Sequence, residues 1–279
     1  MTRVVVVTDS STCLPLELVE SLGIRVLPIS IYLPEGDLEL SAQQGEEMLV
    51  LPEGAEDEEL AAANRPFVTD YLAAIEEPGF EAAVVITPAI EFATMYRNAA
   101  LAAELAERPV VTIDARSAAA GQALVVLAAA EAAAAGAPLE EVVRAVEDAV
   151  GRVELVASLA SLEPIRRSGP LPSSVLGDRG AALTRSLFRM RAGNVEPLGE
   201  PATTEDALAA IATAVKQSSR DGLERVTVFH AGAPDLAGRL AELIGGVDFV
   251  CGFSIAMQVH TGRGVVGAAW LPKSTVGVS

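Results

Sequence analysis

Val4 to Val7 form a continuous apolar run that stops at Thr8, Asp9, Ser10, Ser11 and Thr12. A short apolar run between polar residues predicts a strand covered on both faces. Pro15 then opens a helix that Gly23 ends, and Arg25 to Leu33 reads as a second strand. Pro66 to Glu77 is helical, with Pro78-Gly79 as the stop. Ala82 to Thr87 reads as a strand, Ala93 to Glu107 as a helix, and Pro109 to Ile113 as a strand. An Ala-rich buried helix follows. Pro138 then starts an amphipathic one, with Leu139, Val142, Val143, Val146 and Val150 on one stripe. This β-α alternation predicts an α/β fold with a parallel sheet flanked by helices.

The pattern changes after Gly151. Val153 to Leu159 reads as a strand, and Leu187 to Arg191 with Val195 to Leu198 as a hairpin turning at Ala192-Gly193-Asn194. Thr204 can cap a helix carrying Leu208, Ile211 and Val215. Arg225 to His230 is a strand, Pro234 to Ile244 a helix, and Phe249 to His260 and Val265 to Leu271 two closing strands. The expectation is two domains: an α/β parallel-sheet domain over 1–150 and an α+β domain over 151–279.

Composition narrows the function classes. The net charge is −18 and Lys216 and Lys273 are the only lysines. Phosphate backbones need a concentrated basic surface, so nucleic acid is excluded as a partner. Between Arg25 and Arg65 there are ten acidic residues and no basic one, which reads as a solvated excursion around 35–59. Cys13 and Cys251 are too few and too far apart for a disulfide framework or a metal site. With no signal-like N-terminus, the expectation is a cytoplasmic protein. The stretch Ala115 to Ala137 is interrupted by Arg116, Gln122 and Glu131, so membrane insertion is not expected.

Candidate chemistry lies where strands end. The carboxyl edge of a parallel sheet is where such folds bind ligands, so Ser10 and Ser11 are candidate site residues. Alternatively Ser10, Ser11 or Thr12 caps the next helix. Asp9 could be an aspartyl nucleophile, but a second aspartate two residues on is replaced by Ser11. Gly262, Gly264 and Gly267 fit GxGxxG without the acidic residue that a dinucleotide site needs, and read as a turn. His230 and His260 each end a strand and could pair with a carboxylate. GxSxG, HExxH, CxxC and P-loop motifs are absent, so neither a cofactor nor a metal is expected.

An ordered series of segments resembles the DegV family of bacterial fatty-acid-binding proteins over nearly the whole chain. TDSSTCLP at Thr8 to Pro15 is similar to the family's opening motif, and VLPISI at Val26 to Ile31 to the strand after it. VVTIDARSAAAGQALVV at Val110 to Val126 resembles a central family stretch. So do SLEPIRRSG at Ser161 to Gly169, VTVFHAG at Val226 to Gly232 and QVHTGRGVVG at Gln258 to Gly267. There are departures. Ala63-Asn64-Arg65-Pro66 stands where the family has Thr-Ser-Gln-Pro. Ala93-Thr94-Met95 replaces its Ser-Gly-Thr, Thr87 takes the place of a strand-end serine, and Pro170 replaces an arginine near Arg166 and Arg167.

The resemblance implies a two-domain fold with a lipid tunnel between the domains. It implies a long-chain fatty acid whose carboxylate is held by hydroxyls and a histidine. It also implies a carrier, not an enzyme, that presents this carboxylate to a dihydroxyacetone-kinase-like fatty acid kinase. The candidate ligand-binding residues are Ser10, Ser11, Asn64, Arg65, Thr87, Thr94 and His260. Burying about fifteen methylenes contributes on the order of 12 kcal/mol, against an association cost of about 4–15 kcal/mol. Strong head-group contacts are therefore not required. The alternatives are a divergent member binding another small ligand or a protein partner, and a phosphotransfer-type enzyme acting on a polar substrate.

Overall fold

A computed structural model of the chain describes residues 3–32, 39–41, 63–90, 95–160, 186–219 and 222–274. The acidic excursion apart from residues 39–41, Thr94 and the 161–169 segment lie outside the described residues. The first sheet is parallel, with strand order β2-β1-β6-β7. Its members are β1 (Val4–Asp9), β2 (Arg25–Leu27), β6 (Ala82–Thr87) and β7 (Val110–Asp114). Val4 and Val6 of β1 pack on one side of it, and Val5 and Val7 on the other. The valine run is therefore buried on both faces, as its continuity predicts. Helices α2 (Val68–Ile75) and α3 (Met95–Leu105) cover the second face, with Tyr71, Ile75, Ala99 and Ala102 in its core. Helices α4 (Ala119–Ala134) and α5 (Leu139–Arg152) belong to the first face. Helix α1 (Leu16–Leu22) follows β1.

The strand expected over 25–33 is two pieces, β2 and β3 (Ser30–Tyr32). Pro28, which has no N–H to give a ladder, lies in the break. β3 leaves the parallel sheet and forms a small antiparallel one with β4 (Glu39–Ser41) and β5 (Ala63–Asn64).

The second large sheet is mixed, with order β10-β9-β8-β13-β11-β12. Strands β10 (Asn194–Gly199), β9 (Ser186–Arg191), β8 (Glu154–Leu159), β13 (Val266–Pro272) and β11 (Leu223–His230) pair antiparallel in that order. β12 (Phe249–Gly252) joins parallel to β11, across helix α7 (Pro234–Ile244). Helix α6 (Thr204–Ser218) is capped by Thr203, whose hydroxyl accepts from Asp206 N. Leu208, Ile211 and Val215 of α6 join Trp270 and Leu240 in the outer core.

Phe249 to His260 is not one strand. It turns after β12 into helix α8 (Ile255–Thr261), whose N-cap Ser254 accepts from Met257 N. A short apolar run does not separate strand from helix by period alone. Gly262 ends α8 with φ 80. Gly267 lies under Phe229, whose Cζ would be 2.4 Å from an added Cβ, with Val156 O at 2.7 Å. These glycines serve a turn and a close packing contact, not a nucleotide.

Helix α4 is buried over most of its surface and stands between the two large sheets. Its Leu124 and Leu127 share one core with Val4 and Val6 of the parallel sheet and with Leu155, Ala157 and Phe229 of the mixed one. A helix apolar all round needs such a double covering.

Candidate functional site

The site begins where β1 ends. Ser10 to Thr12 form a single 3-10 turn, and Asp9 caps it by accepting Ser11 N at 3.0 Å. Short acidic side chains favour this local turn over continued strand. The Ser11 hydroxyl also donates to the Asp9 carboxyl and lies 3.0 Å from Gln122 Oε1. Thr12 Oγ1 donates to Asp9 O at 3.1 Å. None of these hydroxyls caps α1: Pro15 occupies its N-cap position with no side-chain bond. The capping expectation is thus corrected, because the turn closes on itself before the helix starts.

Gln122 projects from α4 into this turn. Its Nε2 donates to Thr8 Oγ1 at 3.1 Å and to Asp9 Oδ2 at 3.2 Å, while Thr8 Oγ1 donates to Ile86 O at 2.9 Å. Asp9 is fully buried, and burial raises its pKa above the usual carboxylate value, against the lowering effect of the Ser11 and Gln122 hydrogen bonds. Its side-chain partners among the described residues, Ser11 and Gln122, are uncharged.

Ser10 differs from its neighbours. Its Oγ accepts Ile29 N at 2.9 Å, while its own proton has no acceptor among the described residues. Thr87 ends β6, two residues past the β1–β6 pair Val7↔Val85. Side chains alternate along a strand, so Thr87 follows Ala83 and Val85 toward the α2/α3 side. Its hydroxyl is buried without a partner, as is that of Tyr71 on α2. Tyr71 lies near enough to Asp9 for that charge to raise its pKa, after the larger effect of burial.

Arg65 lies close enough to His260 for its charge to act on the imidazole, although the two are far apart in sequence. The His260 pKa is lowered, first by burial and then by the Arg65 charge. His260 stands in the last turn of α8, not at a strand end. Asn64 pairs through its backbone with Ser30, which follows the Ile29 amide that Ser10 accepts. The Cys13 thiol, next to the turn, donates to Ser11 O at 3.3 Å; burial raises its pKa, against the lowering effect of the nearby Ser254 backbone at the head of α8. Two routes thus tie the β1 turn to the Arg65–His260 pair. The side chain of Asn64 and all of Thr94 lie outside the described residues.

His230 has a local role, since its Nδ1 accepts Ala233 N at 3.2 Å beside the start of α7. Both cysteines are buried and free, and burial pushes the Cys251 thiol up to about 12, leaving it unreactive. Among the described residues no His/Cys/Asp/Glu group could hold a metal ion, and no helix is long and apolar enough to cross a membrane. Sequence reasoning missed Gln122 as a site-forming group. Its signal was present: one amide in an otherwise Ala/Val/Leu helix must find partners if buried.

Oxygen-rich strand ends at the carboxyl edge of a parallel sheet, joined through a shared aliphatic core to a second, mixed sheet, define an α/β class of two large sheets. The sequence model described as "Uncharacterised protein, DegV family" matches residues 3–273. The chain belongs to the DegV family. It is 31% identical to a DegV domain-containing protein of Mycobacterium tuberculosis over 274 residues, covering 95% of each chain. The fold resembles that of a fatty-acid-binding DegV family protein from Thermus thermophilus, with TM-score 0.83 and 22% identity over 98% of this chain and all (100%) of that one. It also resembles DegV, a fatty acid binding protein from Bacillus subtilis, with TM-score 0.82, 22% identity and the same coverage, 98% and 100%.

Proposed function

We propose that this protein binds a long-chain fatty acid between its two halves, residues 1–150 and 151–279, and carries it without acting on it. The observation that carries the reading is the Arg65–His260 pair. There a cation acts on a half-buried histidine, and Arg65 follows β5, which pairs with β3 just past the carboxyl edge of the parallel sheet. A carboxylate taken out of water needs such partners. The unpaired protons of Ser10 and Thr87 are further donors at that sheet edge, and Ser11, Asn64 and Thr94 complete the candidate set read from the sequence. The shared core around α4, built of Ala, Val and Leu with few aromatics, suits an acyl chain. The fatty acids bound by the Thermus and Bacillus relatives support the same ligand class.

In this reading the carboxylate end is presented, from the cytoplasm, to a dihydroxyacetone-kinase-like fatty acid kinase. The buried Asp9 is occupied by Ser11 and Gln122 and keeps the turn in shape, which fits a carrier better than a phosphotransfer enzyme. Native mass spectrometry of the protein as purified, followed by lipid extraction, tests the proposal. A bound mass matching a fatty acid is expected. A protein that stays unliganded after incubation with long-chain acids overturns it. Co-purification with the kinase tests the partnership separately.

A further inference from the structure

The head of α4 carries donors with nothing to receive them. Ala118 at its N-cap offers no side-chain cap, and the first turn holds no acidic residue. The first helical bonds run from Gly121 N and Gln122 N to Ala118 O, at 2.9 and 3.3 Å. The amides of Ala119 and Ala120, both buried, have no acceptor among the described residues. Ser117 Oγ, on a residue 1% exposed, has no hydrogen-bond partner either. It lies against that same first turn, 2.0 Å from where a Cβ on Gly121 would stand, with Leu155 Cδ1 of the mixed sheet 3.5 Å from that point. The surroundings are aliphatic: Ala119, Ala120, Ala123, Leu124, Leu155 and Ala157. A buried hydroxyl beside an uncapped buried helix start is costly unless an acceptor arrives. The two amides can only donate and the Ser117 hydroxyl has an unpaired proton, so what the notch lacks is an acceptor oxygen.

That oxygen is not the head-group carboxylate proposed above. Ser117 O accepts Ala89 N at 2.8 Å, which places Ser117 over the β6 and β7 ends. Arg65 follows β5, on the β2 side of the sheet whose order is β2-β1-β6-β7. Neighbouring strands are about 4.8 Å apart, so the two places are separated by about 10 Å or more. Thr87 faces α2 and α3, whereas the α4 head faces the mixed sheet. A fatty acid held at Arg65 and His260 would therefore bring its chain, not its carboxylate, past Ser117.

We propose that the Ser117 hydroxyl and the first-turn amides of α4 receive an oxygen borne on the acyl chain. The preferred ligand is then an oxygenated long-chain fatty acid, such as a hydroxy acid. The inference rests on the acyl-binding reading. Its test is calorimetric titration of the full chain with octadecanoic acid and with a set of positional hydroxyoctadecanoic acids. The wild type should bind at least one hydroxy isomer about fivefold more tightly than the plain acid, the size of one neutral hydrogen bond. Ser117→Ala should abolish that preference and leave octadecanoic acid affinity unchanged. Gly121→Ala, whose Cβ displaces the hydroxyl, should do the same. A preference for the plain acid over every isomer, or a hydroxy preference that survives Ser117→Ala, overturns the inference while acyl binding stands. A wild type that binds none of the acids overturns both.

Discussion

Asp9 is a carboxyl in a place where burial works against its charge. Its folded pKa is raised above the ordinary 3.8, chiefly by burial. The sign follows: the folded state holds this proton to higher pH than the unfolded state does. The stability that the proton contributes is complete below the unfolded value and is lost as pH rises through the folded one. Asp9→Asn carries no such dependence. Urea unfolding of both proteins from about pH 4 upward, near the ordinary carboxylate value, should therefore show the variant gaining on the wild type as pH increases. A constant difference across that range would contradict this account. Gln122→Leu should cost about 1–3 kcal/mol by the same measurement, because Asp9 and Thr8 each lose a buried donor.

His260 gives the matching prediction for the ligand. Burial and Arg65 hold its pKa below the ordinary 6.5 in the unliganded protein. A bound carboxylate favours the charged imidazole and raises that value. Binding then takes up a proton, so affinity should strengthen as pH falls between the liganded and unliganded pKa values, and level off below the latter. His260→Ala should weaken fatty-acid binding about tenfold and flatten this profile, the size expected for a charged hydrogen bond. Arg65→Glu should weaken binding while shifting the profile to higher pH, since a carboxylate beside His260 favours its protonation. Equal affinities across these variants would remove the pair from the site.

At the scale of elements, the strand β13 depends on a missing side chain. Gly267→Ala would drive a methyl into the Phe229 ring and Val156 O. Overpacking of this kind costs about 1–3 kcal/mol, and thermal unfolding should show the loss. The contact joins β13 to β11 and β8 at once, so the ring cannot turn aside without disturbing its stack on Phe253, 5.5 Å away. The segment from Phe249 to His260 shows where pattern reading fails. Its apolar residues suit a strand or a helix, and Ser254, which caps α8, decides locally for the helix. β3 shows the opposite case: Pro28 stands at the break, a local signal, but one of its new partners, β5, is distant in the chain.

At the scale of the molecule, α4 makes two sheets into one cooperative body. Its Leu124 is fully buried in the core that both sheets share. Leu124→Ala should cost about 2–5 kcal/mol. Trp270, the only tryptophan and buried in β13, reports on the mixed sheet. In the wild type its fluorescence and the far-ultraviolet circular dichroism should lose signal in one coincident transition. Separate midpoints would show that the halves unfold independently.

The sequence by itself determined the elements whose information is local. The valine run, β-branched throughout and closed by polar residues, read as a strand buried on both faces, and Pro234 with Gly245-Gly246 bounded α7, because side-chain shape and φ preference act over a few residues. The strand ends Ser10, Ser11 and Thr87 were likewise legible as an oxygen-rich edge. Which of those oxygens is engaged was decided only by tertiary structure. Gln122 reaches Asp9 across 113 positions and the Arg65 charge acts on His260 across the whole fold. Hydrogen bonds and charges act over a few ångströms in space, and no periodicity along the chain records which distant residues the packing of α4 between two sheets will bring within that range.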